Sequence, residues 1–332
     1  MTSTTRTTRT TRTTAKTTTA NTANTAAKTP TTTTATTATT AEPAIPGFTY
    51  DRVTVADGIG LHVAVGGMGS PVVLLHGFPQ THLMWRHVAA DLAADHTVIC
   101  PDLRGYGASD KPADPDGTAY AKRAMAADVV ALARELGHDR FALAGHDRGA
   151  LVAVRAGLDH PEAVTHLAAL DVLPTLDMWD VLHGTTAAVG FHLYLMAQPP
   201  GLPEQLIGAA PDAFFGHFLD VWTRDPDALP ADVRAAYLKA SREAVPSIVA
   251  DYRASAGIDV DHDRADREHG NRLRMPVTVL QQDWGAALGY DAAELWRAWA
   301  PDLRHETVGC GHFMAEEAPG EVAGALRGLL AR

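Results

Sequence analysis

The sequence predicts an α/β fold, a mostly parallel sheet flanked by helices with a helical insertion over one end. Three observations predict it. Short β-branched runs alternate with Ala- and Leu-rich amphipathic stretches from Phe48 onward, this alternation gives way to helical spacing alone between Pro174 and Arg272, and a small-residue turn follows a buried-type strand near mid-chain. Val53-Thr54-Val55 and Leu61–Val65 flank Asp57-Gly58, a dipeptide that favours hairpins, so two antiparallel strands open the domain. Strands at Val72–Leu75, Thr97–Cys100, Phe141–Ala144, His166–Leu170 and Val277–Leu280 are continuous apolar runs, the pattern of strands covered on both faces. Helical patterns at about Thr81–Ala93, Tyr120–Leu136 and Ala150–Leu158 separate them, and strands alternating with helices form a parallel sheet. Apolar spacing at His183–Met196, Pro211–Trp222, Val233–Ala240 and Pro246–Ala256 makes the insertion helical. It leaves and rejoins the sheet between strands, which puts it over their carboxyl ends, where open α/β sheets bind ligands. The expected organisation is a Thr/Ala-rich disordered extension (1–44), a core (45–173 and 273–332) and a helical cap (174–272).

Composition narrows the function classes. Of 332 residues 46% are hydrophobic, enough for a substantial core, and nowhere do about eighteen apolar residues run uninterrupted, so no ordinary membrane-spanning helix is expected. Cys100 and Cys310 form neither a disulfide framework nor a zinc pattern, and a reducing cytoplasm is the simplest setting. Arg6, Arg9, Arg12, Lys16 and Lys28 meet no acid within residues 1–40, so the rest of the chain is more acidic than the net charge of −11. A folded part of that sign has no basic face for phosphates, which argues against nucleic acid as a partner. The first forty residues lack acids, as organellar transit peptides do, but also lack an apolar face; a solvated extension fits better.

The strongest local signal is Gly145-His146-Asp147-Arg148-Gly149, between the strand Phe141–Ala144 and an Ala/Val-rich helix. A small-x-nucleophile-x-small turn exposes its central side chain at the top of a sheet, and the glycines relieve crowding on both sides. With Asp at the centre, the chemistry is carboxylate attack on sp³ carbon to give an enzyme ester; the bland reading is an aspartate that caps the helix. The strand Val72–Leu75 runs into His76-Gly77-Phe78-Pro79, where the Phe78 N–H could join that of Arg148 in an oxyanion hole. His312, in Gly309-Cys310-Gly311-His312-Phe313, sits in a small-residue loop suited to placing an imidazole over the nucleophile. Gly66-Gly67-Met68-Gly69 precedes its strand and so is no dinucleotide loop, and Asp259–Asp263 lacks the Gly and Glu that a calcium loop needs, leaving a solvated loop. Trp179, Trp222 and Tyr194 could line a pocket, but helical inserts use aromatics more often for packing.

Together with Asp102–Ser109 (DLRGYGAS), these segments resemble the α/β-hydrolase family over about residues 48–332. Phe141–Ala150 (FALAGHDRGA), Leu170–Thr175 (LDVLPT), Asp251–Ala254 (DYRA) and His312–Pro319 (HFMAEEAP) are most similar to fluoroacetate (haloacetate) dehalogenases, with Arg148 the most telling residue because related enzymes usually have Trp there. The resemblance implies Asp147 as nucleophile, His312 as base and Asp171 as the triad acid, although Asp283, after the next strand, stands where many other α/β-hydrolases carry theirs. It implies that Arg148 pairs with a substrate carboxylate, that His192 and Tyr237 receive the halide, and that neither metal nor organic cofactor is required. The expected partner is a small-molecule substrate, with no nucleic acid or membrane, and there is room for a homodimer.

Two departures bear on substrate choice. Where such dehalogenases place a second arginine one turn after the nucleophile there is Leu151, and where they place a halide-binding His-Trp pair there is His192-Leu193. Fluoride depends on strong donors, so defluorination should suffer most. The rivals are an epoxide hydrolase, with Tyr237 and Tyr194 protonating the ring oxygen, and a non-catalytic ligand-binding relative, which would have no need for a complete triad.

Overall fold

The computed structural model describes residues 42–283 and 288–332, apart from the side chain of Thr186. Most of the expected extension at 1–44 lies outside the described residues. Eight strands form one sheet: β1 (Thr49–Thr54), β2 (Gly60–Gly66), β3 (Ser70–Leu75), β4 (His96–Pro101), β5 (Phe141–His146), β6 (Val164–Leu170), β7 (Val277–Gln281) and β8 (Leu303–Thr307), in the order β1-β2-β4-β3-β5-β6-β7-β8. The two pairings of β2 are antiparallel and all others parallel. The Asp57-Gly58 link is looser than a two-residue hairpin, a 3₁₀ turn over Ala56–Gly58 with Asp57 at φ 59°.

The continuous apolar strands serve two cores. On β3, Val73 and Leu75 face one core while Val72 and Leu74 face the other, because successive side chains alternate sides. Helices α1 (Arg86–Leu92), α2 (Lys122–Glu135) and α3 (Arg148–Asp159) connect β3 to β6. Met125 and Val129 of α2 and Val152 of α3 pack on the first face; Val88 and Leu92 of α1 cover the second. Between β6 and β7 every described element is a helix: α4 (Thr175–Val181), α5 (Phe191–Met196), α6 (Leu202–Ala209), α7 (Pro211–Val221), α8 (Ala231–Glu243), α9 (Val245–Ser255) and α10 (Ile258–His269), with short 3₁₀ turns. α11 (Ala292–Arg297), α12 (Met314–Glu317) and α13 (Pro319–Leu330) follow β7. No helix among the described residues is long and apolar enough to cross a membrane.

The solvated loop expected at Asp259–Asp263 is instead the start of α10, and the helix turns acids inward. Asp259, Asp263 and Asp266, spaced at helical intervals, are buried. Asp259 accepts the Lys122 N–H at 2.8 Å, and Asp266 pairs with buried Arg155 at 2.6 Å. A helix face of carboxylates can be buried where cations wait for it. β8, for which no expectation was formed, is an edge strand of sequence Leu-Arg-His-Glu-Thr with mostly solvated side chains, hence without an apolar run.

Candidate active site

The carboxyl ends of β3, β5 and β6 and the loop after β8 bring the chemistry together. β5 delivers Asp147 into a sharp turn at φ 47°, ψ −117°, a backbone conformation costly for any residue with a Cβ. The turn fits because its neighbours lack side chains: a Cβ on Gly149 would lie 2.4 Å from the His76 carbonyl oxygen, and one on Gly77 would lie 2.6 Å from the Asp147 Cβ. That close approach lets the Phe78 N–H donate to Asp147 Oδ2 at 2.9 Å. Arg148 opens α3, so its amide is among the helix's first four, which no intrahelical carbonyl claims.

Asp171, directly after β6 at φ 50°, accepts from His312 Nδ1 at 2.6 Å. Its carboxylate is fixed by Gln282, whose backbone N–H and side-chain amide donate at 3.0 and 2.7 Å. The structure thus joins Asp171, not Asp283, to the imidazole. His312 Nε2 is buried without a hydrogen-bond partner among the described residues and its ring lines the same cavity as Asp147. Although burial opposes the charged ring, the Asp171 hydrogen bond and the charges of Asp171 and Asp147 carry the imidazole above its ordinary 6.5. His146, missed by the sequence reading, seats this residue: its Nε2 bonds the His312 carbonyl at 2.8 Å, and burial lowers its pKa to about 4, keeping it neutral.

A general base must be neutral, so if His312 serves as one, activity should fall as pH drops through a value above 6.5. In Asp171→Asn the inflection should move to lower pH, while the plateau rate falls on the order of 10²–10⁴-fold as the tautomer and orientation are lost. A pH–rate profile checks this, and an unmoved inflection would count against the pairing.

The cavity, about 120 Å³, is bordered by Asp147, Arg148, Asp171, His192 and His312 and walled by apolar residues that include Leu151, Val172, Met178, Leu193 and Trp222. Trp222 is a cavity residue as well as packing: its ring lies 4.8 Å from that of His312 and its carbonyl accepts the His312 N–H at 2.9 Å. Trp179 instead donates to the Ser255 carbonyl and Tyr194 to that of Leu182. His192 is enclosed by the rings of Phe78, Phe218, Trp222 and Tyr252, and burial lowers its pKa to about 3, so it enters as a neutral imidazole.

Two expected contacts are revised by their surroundings. Arg148 donates through Nε and Nη2 to the Asp251 carboxylate at 2.9 Å, through Nη2 to the Asp251 carbonyl, and through Nη1 to Ser255 at 3.3 Å. Among the described residues these bonds engage four of its five guanidinium N–H groups. Tyr237 does not line the cavity; its hydroxyl donates to Glu316. Tyr252 packs behind the elbow, its ring 5.3 Å from Phe78 and 4.2 Å from the Arg148 guanidinium. Burial and the Asp147 charge hold its phenol well above 10. Tyr252 belongs to the DYRA segment, so the signal was in the sequence. Tyr290, also unforeseen, lines the cavity, with burial raising its phenol to about 12.

A central parallel sheet, an aspartate elbow and an Asp-supported histidine define an α/β-hydrolase, and the chain belongs to that fold family, whose profile matches residues 70–319. Among named relatives it is similar to a fluoroacetate dehalogenase of a Burkholderia species, 39% identical over 86% of this chain and 94% of that protein. A soluble epoxide hydrolase of Corynebacterium sp. (strain C12) is 32% identical over 79% and 91% of the two chains. Among solved structures, Cfl2 from Burkholderia cenocepacia superposes with a TM-score of 0.77 at 30% identity, covering 86% of this chain and 97% of that one.

Proposed function

We propose that this hydrolase is a dehalogenase of small 2-halo acids that works through an aspartyl ester. The observation that carries the reading is the Asp147 carboxylate in its elbow, held by the Phe78 N–H, in one cavity with an imidazole whose other nitrogen is bound to Asp171. An Asp147 oxygen attacks the carbon bearing the halogen; the C–O bond forms as the carbon–halogen bond breaks, and halide leaves. His312 then takes a proton from water as the water oxygen adds to the ester carbonyl. The Phe78 and Arg148 amides hold the oxyanion; as it collapses, the proton on His312 passes to the departing alkoxide, which leaves as the hydroxy acid, and Asp147 returns to its carboxylate by losing a proton to solvent. The remaining Arg148 N–H serves the substrate carboxylate. His192, as a neutral donor, and Tyr290, in place of Tyr237, serve the halide. No step calls for a metal or organic cofactor, and the reducing, cytoplasmic setting suggested by the cysteines suits it.

A second reading, epoxide hydrolysis, is favoured by one feature: neutral His192 and protonated Tyr290, both lining the cavity, are weak acids able to donate to an opening ring oxygen, while Leu151 and Leu193 offer apolar wall rather than charge. A screen of halide release from chloro-, bromo- and fluoroacetate against diol formation from small epoxides separates the two. Chloro- or bromoacetate should be turned over faster than fluoroacetate, because a lost charge-assisted bond costs roughly one to two decades in rate and fluoride needs such bonds most. Leu151→Arg with Leu193→Trp should move the preference towards fluoroacetate. Diol formation without halide release would establish the epoxide reading, and activity on neither class would reject both.

A further inference from the structure

The buried carboxylate of Glu316 is used by none of the steps above, yet it sits between three parts of the site. It lies on α12, one turn after His312. Its Oε1 accepts the Tyr237 hydroxyl of α8 and the Gln80 amide at 3.3 Å, and its other oxygen pairs with Arg86. Gln80 closes the turn that carries the oxyanion donor: its backbone N–H bonds the Gly77 carbonyl at 3.0 Å, with Phe78 inside the loop. α8 grips the same turn a second time, since Ser241, one helical turn from Tyr237, donates to the Pro79 carbonyl at 3.1 Å. The arrangement tolerates a polar cost, because Gln80 Oε1 is buried with no hydrogen-bond partner among the described residues. A leucine would avoid that cost, and what glutamine adds is the bond to Glu316. The neighbouring Glu317 extends the connection, its Oε2 accepting the N–H groups of Arg224, Asp225 and Gly311.

We infer that Glu316 is a positioning residue which, through Gln80, aims the Phe78 N–H at Asp147 and ties that donor to the His312 segment and to α8. The inference rests on the aspartyl-ester reading and predicts which half-reaction depends on the clasp. During alkylation, negative charge leaves Asp147, so a well-aimed Phe78 N–H stabilises the starting carboxylate at least as much as the transition state. During ester hydrolysis, charge returns to the carbonyl oxygen, and the same N–H stabilises the transition state more. Loosening the turn therefore slows hydrolysis and leaves alkylation nearly unchanged.

The test measures alkylation and ester hydrolysis separately, by rapid quench and intact-protein mass, with bromoacetate and 1,2-epoxybutane as probes. Gln80→Leu is the main variant, since it removes one bond and leaves Glu316 paired with Tyr237 and Arg86; Glu316→Ala removes the clasp, and Glu316→Gln restores an acceptor for Tyr237 and Gln80. In Gln80→Leu and Glu316→Ala, kcat should fall on the order of tenfold, less than the loss of a whole oxyanion donor. The steady-state esterified fraction should rise and alkylation stay within about twofold, with Glu316→Gln recovering part of the loss. If Gln80→Leu folds and shows equal slowing of both steps, or no change in either, the inference is overturned while the ester mechanism stands. If no ester is found with either probe even in His312→Gln, both are overturned.

Discussion

His312→Gln should convert the protein from a catalyst into a reagent that reacts once. Displacement by a carboxylate needs no base, so Asp147 should still be alkylated; water attack on the resulting ester does need one, and glutamine cannot accept that proton. Steady-state turnover should drop on the order of 10³-fold or more, and intact-protein mass should show one adduct per chain on the peptide containing Asp147. The adduct identifies the substrate class. A halo acid adds its mass less hydrogen halide, whereas an epoxide adds its whole mass. Normal turnover in this variant would remove His312 from the mechanism.

Asp147→Gly should abolish activity while raising stability. Without the carboxylate no ester can form, and a loss on the order of 10⁴-fold or more is expected. The same residue holds φ 47°, ψ −117°, where a side chain costs about 1–3 kcal/mol and glycine is free of the steric penalty. After allowing for the greater unfolded-state entropy of glycine, a net gain of about 1 kcal/mol is expected, seen as a higher denaturant midpoint with unchanged slope. Residual turnover near the wild-type rate would exclude Asp147 as nucleophile. A lower midpoint would show that the Phe78 contact outweighs the strain.

The sheet interior and the elbow could be read from the sequence because each has a local cause. Strands covered on both faces must be continuously apolar, and a sharp strand-to-helix turn must have small residues around its apex. What could not be read depends on contacts between distant segments. Tyr237 and Tyr252 both lie in the helical insertion, and nothing in helical spacing says which faces the sheet; that is decided by the docking of α8 on Glu316 and of α9 on Arg148. Asp259, Asp263 and Asp266 look solvated until Lys122 and Arg155 arrive from α2 and α3. Likewise Arg148, free in sequence, has Asp251 waiting about a hundred residues downstream.

The choice between Asp171 and Asp283 was open because the two strands that carry them end side by side. Leu170 pairs with Leu280, the Asp171 N–H bonds the Leu280 carbonyl at 2.8 Å, and the Gln282 amide rests against the very oxygen that holds His312. The seat of the acid is therefore a property of two adjacent strand ends rather than of one residue. The acid thus depends on the register between two neighbouring strands, whereas the nucleophile depends on a single turn that only glycine neighbours permit.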